Sequence, residues 1–281
     1  MTVAGGGRSP ADLAGLRLGA GQVALWWLGQ AGFVLRGGGA TLLLDPFLSS
    51  GHKRLVPLPF APEQAGGVDA ILCTHEHIDH LDVDSLPAMA AASPSAPVVV
   101  PAPIVSQVTD LGIAPERVIA AQPEQPIELR GVTVHPVPAC HGVDVADAYS
   151  FGRELSDGRY RYLGFVVEAG GVRVYHAGDT VLYDGMEDWL RRLPPDVALL
   201  PINGRDRFRE RQGIVGNMDH REAVQLAARV GVSLLVPMHY DMFAINLGYP
   251  AHLVDFAQRH FPGVAVMIPN RERPFVYTAA R

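Results

Sequence analysis

Apolar residues in this chain fall in short continuous blocks rather than in strict alternation. Blocks of about four to eight such residues, bounded by Gly, Pro and Asp, mark strands buried on both faces. "VALWWLGQAGFVLRGGGATLLLDPFLS" (23–49) reads as three strands punctuated by Gly-Gln-Ala-Gly and Gly37-Gly38-Gly39. "VDAILCTH" and "PVVVPA" are further buried strands, and "ELRGVTVHPVPACHG" is a hairpin whose second arm ends at His141. "YLGFVVEAGGVRVYHAGDT" is a hairpin turning at Gly170-Gly171. "DVALLPING" and "VSLLVPMHYD" are strands, and the tail adds two more.

Helical periodicity is rarer. Leu86, Pro87 and Met89 mark a helix start, and "PIVSQVTDLG" is a short helix closed by Gly112. "DHREAVQLAARVG" is the clearest: Asp219 and Glu222 have capping-box spacing, Ala223, Leu226, Ala227 and Val230 share a face, and Gly231 ends it. "HLVDFAQRHF" is another. Residues 1–20 read as a loose or partly helical N-terminal arm, and the polar stretch 142–161 as a long surface loop and candidate lid. No composition break, repeat or linker divides residues 21–281, so one α/β domain is expected, with two largely antiparallel sheets and helices outside.

Composition narrows the function. The chain has 281 residues, 48% of them hydrophobic, and a net charge of −6 with pI near 6.0. A large core is affordable, and the absence of a basic field argues against nucleic acid. Two cysteines, Cys73 and Cys140, make no disulfide framework and suit a reducing cytosol. With no signal pattern at the start and no membrane-length apolar run, a cytoplasmic protein is expected. A homo-oligomer stays open.

The chemistry concentrates in "THEHIDH" (74–80), straight after an apolar strand. In an extended segment His75, His77 and Asp79 would point to one side, with His80 breaking the alternation. His141, Asp179, His239 and Asp45 also follow strands. Strand ends can converge on one edge of a sandwich, giving one metal site from His75, His77 and His141 and a second from Asp79, His80 and His239. Asp179 would bridge them. Such N and O donors suit Zn²⁺ or Mn²⁺.

The run "THEHIDH", a later His, "GDT" and a His in "PMHYD" resembles the motif set of the metallo-β-lactamase superfamily. "VALWWLGQAGFVL", "YHAGDT" and "LVPMHYDMF" are further similar to its L-ascorbate-6-phosphate lactonase branch. The resemblance implies a four-layer αββα sandwich with two divalent ions, Mn or Zn, at one edge. It implies a hydrolase in which a metal-bridging hydroxide attacks a small anionic, phosphorylated lactone. Asp79 is the candidate catalytic carboxylate.

Around the ligands, Asp45 and His176 are candidates to orient them by hydrogen bonds. Arg205, Arg207, Arg209 and Arg211, at a period of two, read either as a solvated charge run or as an anion clamp; Asn203 and Tyr240 are further substrate-binding candidates. The alternatives are a phosphodiesterase, nuclease- or phospholipase-like, and a non-catalytic metal-binding scaffold.

Overall fold

The computed structural model describes residues 8–51, 53–142 and 158–280. The expected lid is therefore mostly outside the described residues. Strands β1 (Gln22–Gly29), β2 (Gly32–Gly37), β3 (Ala40–Leu44), β4 (Ala70–Leu72), β5 (Val98–Pro101) and β6 (Val118–Ala121) form one sheet. Strands β7 (Ile127–Leu129), β8 (Val132–Pro138), β9 (Leu163–Ala169), β10 (Val172–His176), β11 (Val197–Pro201), β12 (Leu234–Met238) and β13 (Ala265–Val266) form the other. The last strand, β14 (Phe275–Thr278), pairs antiparallel with β1.

The sheets are mixed rather than largely antiparallel. β1–β2–β3 and β8–β9–β10 are antiparallel meanders, whereas β3–β4–β5–β6 and β10–β11–β12–β13 run parallel. Each half thus repeats one topology without visible sequence repetition. Parallel strands share the direction of their C-terminal ends, which lets loops from several strands meet.

Helices lie outside both sheets: α1 (Pro10–Ala14), α2 (Leu86–Ala92), α3 (Val105–Thr109), α4 (Met186–Arg192), α5 (Arg207–Gln212), α6 (His220–Val230) and α7 (Pro250–His260). On β1, Val23, Leu25 and Trp27 join the inter-sheet core, while Trp26 and Leu28 pack with Leu13, Leu86, Met89 and Val108 of the outer helices. Both faces are covered, which is why the strands read as unbroken apolar blocks. The architecture is the expected αββα sandwich. α6 is built as its sequence says: the Asp219 carboxylate accepts from Arg221 and Glu222 N–H at 2.8 Å, and Gly231 closes the helix at φ 74°.

The arginine run behaves otherwise. Asp206 caps α5, accepting from Arg209 N–H at 2.8 Å, and Gly213 ends it at φ 63°. Arg207, Arg209 and Arg211 therefore lie on a helix rather than along a strand, and Arg205 precedes its cap. No helix among the described residues is long and apolar enough to cross a membrane.

Candidate metal centre

β4 delivers the histidine cluster, but residues 74–80 do not stay extended. His80 and Leu81 N–H both donate to His77 O, at 2.9 and 2.8 Å, closing a turn. The side chains converge through that turn, not through strand alternation. Asp45, at φ 42° after β3, organises it: its carboxylate accepts from Thr74 N–H and Oγ1 at 2.7 Å and from His80 Nδ1 at 2.6 Å.

Three other strands supply the remaining donors. His141 follows β8 and donates through Nδ1 to Gly216 O at 2.7 Å, which leaves Nε2 with a lone pair. A Cβ on Gly216 would sit 2.6 Å from the His141 ring, so only glycine fits there. Asp179 follows β10, and His239 follows β12 at φ 60°, donating its N–H to Gln30 O at 2.8 Å.

Two groups result. His75, His77, His141 and Asp179 place one donor atom each within 4.8 Å of one another, and so do Asp79, His80 and His239. Asp179 stands between them. Its Oδ1 is 3.1 Å from His239 Nε2 and 3.3 Å from His80 Nε2, and its Oδ2 is 3.5 Å from His141 Nε2. His77 Nδ1 faces both His75 Nε2 at 3.0 Å and His141 Nε2 at 3.2 Å, although it could give a hydrogen to one at most. Asp179 Oδ1 is buried without a properly aligned hydrogen bond. Lone pairs turned toward common points in a buried site are the arrangement that divalent cations satisfy.

The electrostatics divide the same way. Burial, reinforced by the His141 ring, lowers His77 to about 4, and burial holds His75 and His141 below the ordinary histidine value. Burial would lower His239 and His80 too, but the Asp179 and Asp79 carboxylates outweigh it, pushing His239 up to about 9 and His80 well above its usual value. Burial would raise Asp179 and Asp79, yet the facing imidazoles hold both below the usual carboxylate range.

The profile of the beta-lactamase superfamily domain matches residues 40–240. The chain belongs to that superfamily. A UPF0173 metal-dependent hydrolase of Aeropyrum pernix is 35% identical, over 80% of this chain and 86% of its own, and one of Myxococcus xanthus is 30% identical, over 89% and 82%. In fold, the chain is similar to an isothiocyanate hydrolase from Delia radicum gut bacteria, with TM-score 0.72, 21% identity and coverage of 92% and 100%. It is also similar to the metallo hydrolase Igni18 of Ignicoccus hospitalis, with TM-score 0.68, 23% identity and the same coverage.

Within this superfamily fold, the other sequence candidates separate. His176 donates Nε2 to Ala31 O at 2.7 Å and accepts Gly178 N–H at 3.3 Å, so both ring nitrogens are spent on backbone. Asn203 and Arg209 line the cavity over the two groups, whereas Arg205, Arg207 and Arg211 do not. Arg205 pairs with Glu222, and Arg207 and Arg211 are exposed. Tyr240 stacks on Trp27 with ring centroids 5.0 Å apart and lines a different cavity. Cys73 is buried core, while Cys140 is half-buried and its thiol donates to Gly142 O.

Sequence reasoning passed over Gln30. Its Nε2 donates to Asp79 Oδ2 at 2.7 Å, and its carbonyl accepts from His239. It also passed over Tyr162, whose ring centroid lies 5.3 Å from His75 and 5.4 Å from His141. A buried Gln within a Gly-rich turn of an apolar block is the signal that could have found the first.

Proposed function

We propose that this chain is a metal-dependent hydrolase with two divalent ions, cleaving an ester-type bond such as a lactone. Asp179 between the two donor groups carries the reading: one carboxylate oxygen faces His239 and His80, the other His141. His75, His77 and His141 would hold one ion and Asp79, His80 and His239 the other, with Asp179 shared. Divalent ions bound there would lower the pKa of a coordinated water toward neutrality and polarise a carbonyl oxygen. The N and O donors suit Zn²⁺ or Mn²⁺.

The chain's own groups do the rest. Asp45 fixes the His80 ring, and Gly216 O fixes that of His141. Asp79 lines the cavity with its Oδ2 held by Gln30, where it is the carboxylate placed to accept and return a proton. Strand-end loops bury both donor groups and open them to one cavity.

Metal-loaded protein assayed against a panel of lactones, thioesters and phosphodiesters tests this. Lactone turnover should vanish with chelator and return with Mn²⁺ or Zn²⁺. Turnover that survives complete metal removal, or phosphodiester cleavage without lactone cleavage, would overturn it.

A further inference from the structure

The cavity over the metal centre measures about 390 Å³. Its floor is His77, Asp79, His141, Asp179 and His239. Its walls carry four large apolar side chains beside neutral asparagines: Phe208 and Ile214 come from α5 and the turn after it, and Phe243 and Ile245 from the segment following β12. Phe208 is 65% exposed and Ile245 89% exposed, so two large apolar side chains stand in solvent at one mouth. Single exposed apolar residues are ordinary, but paired ones flanking a cavity mark a surface that something apolar covers.

Charge is spent elsewhere. Among the described residues Arg209 is the only Arg or Lys lining the cavity. Its guanidinium is engaged by the Asp206 carboxylate and donates to Ile245 O at 3.0 Å. Arg209 thus ties α5 to the segment after β12 as a strut and offers no unspent charge. Asn203, Asn217 and Asn246 add a polar but neutral edge, with Asn203 Oδ1 buried without a partner.

We propose that the cavity takes an uncharged substrate with an apolar acyl or aryl body. The body lies between Phe208 and Ile214 on one side and Phe243 and Ile245 on the other, with the scissile carbonyl over the His/Asp floor. The orientation of the carbonyl rests on the hydrolase reading; the preference for a neutral apolar body does not. This takes the place of the phosphorylated lactone that the lactonase resemblance implied and of the anion clamp read from the arginine run.

The test uses metal-loaded protein and three esters with one leaving group: 4-nitrophenyl acetate, hexanoate and the adipate monoester. Hexanoate and adipate match in length and differ in a terminal carboxylate. Hexanoate should exceed adipate in kcat/KM by about ten-fold or more. Phe208→Ala and Ile245→Ala should each lower the hexanoate-to-acetate ratio of kcat/KM, and Arg209→Ala should impair hexanoate and adipate alike. Adipate turned over as well as hexanoate, or a selective loss of adipate in Arg209→Ala, would overturn the proposal and restore the anion clamp. If neither these esters nor the lactones of the panel are cleaved, the hydrolase reading fails, and calorimetry with unreactive N-phenylhexanamide and N-phenylacetamide still decides. The hexanamide should bind about ten-fold tighter in wild type and lose that margin in Phe208→Ala; equal binding in wild type would refute the apolar cavity.

Discussion

The side-chain amide of Gln30 donates to Asp79 Oδ2 at 2.7 Å. Gln30 is fully buried, adopts φ 52°, and also receives the His239 N–H on its carbonyl, so one residue positions two proposed ligands that follow two other strands, β4 and β12. Its own N–H is anchored to Asp241 Oδ1 at 2.9 Å. Removing a partner that orients metal ligands costs about 10–100-fold in affinity or activity. Gln30→Ala should therefore lose kcat/KM by that order, and at limiting metal should retain an ion chiefly in the His75–His77–His141 group. Turnover within two-fold of wild type would show the contact to be incidental.

Gly216 supports His141 from beneath. Gly216→Ala would place a methyl 2.6 Å from the His141 ring, in competition with the Nδ1 bond to Gly216 O. Chelator competition should show weaker binding of one ion by about ten-fold or more, with far-ultraviolet circular dichroism unchanged. Gly263→Ala, where an added Cβ meets nothing within 4 Å, is the control expected to leave affinity alone. Equal affinities in the two variants would mean that the ring tolerates the shift.

Metal binding should release protons. With His239 pushed up to about 9 and His80 raised as well, both rings carry a proton at neutral pH, while His77, lowered to about 4, does not. Coordination needs the lone pairs, so loading at pH 7 should expel protons from His80 and His239, and apparent affinity should rise with pH until about 9. Calorimetry in buffers of different ionisation enthalpy reads the number. Proton-neutral binding at pH 7 would contradict the assigned charges.

The same groups set the stability of the metal-free protein. A raised pKa contributes stability that is complete below the unfolded value of 6.5 and is lost as pH climbs through about 9 for His239. A lowered histidine acts oppositely: the unfolded chain takes up protons more readily, so stability falls as pH drops from 6.5 toward about 4 for His77. The Tm of metal-free protein should peak near pH 6.5 and decline on both sides. A steady rise to pH 9 would refute the pairing of His80 and His239 with the carboxylates.

The donors were legible because they follow strands and because "THEHIDH" has few bland explanations as a set. Their geometry was not: alternation assumed an extended segment, and backbone bonds to His77 O turn it instead. Tyr240 was misplaced for a related reason, since His239 at φ 60° swings the next residue onto Trp27. Exposed polar residues carry no burial period, so the arginine run could not announce that its last three arginines sit on helix α5. Gln30 was hidden because a Gln flanked by Gly and Ala reads as a hairpin turn, and what it holds lies more than two hundred residues away at His239.

The central claim is that Asp179 joins two metal sites in one chain. Elemental analysis of protein saturated with Mn²⁺ or Zn²⁺ and freed of excess, run beside Asp179→Asn and His141→Ala, addresses it most directly. About two ions per chain are expected in wild type, with both sites depleted in Asp179→Asn and mainly one in His141→Ala. A wild-type ceiling of one ion, or two ions retained in Asp179→Asn, would contradict it.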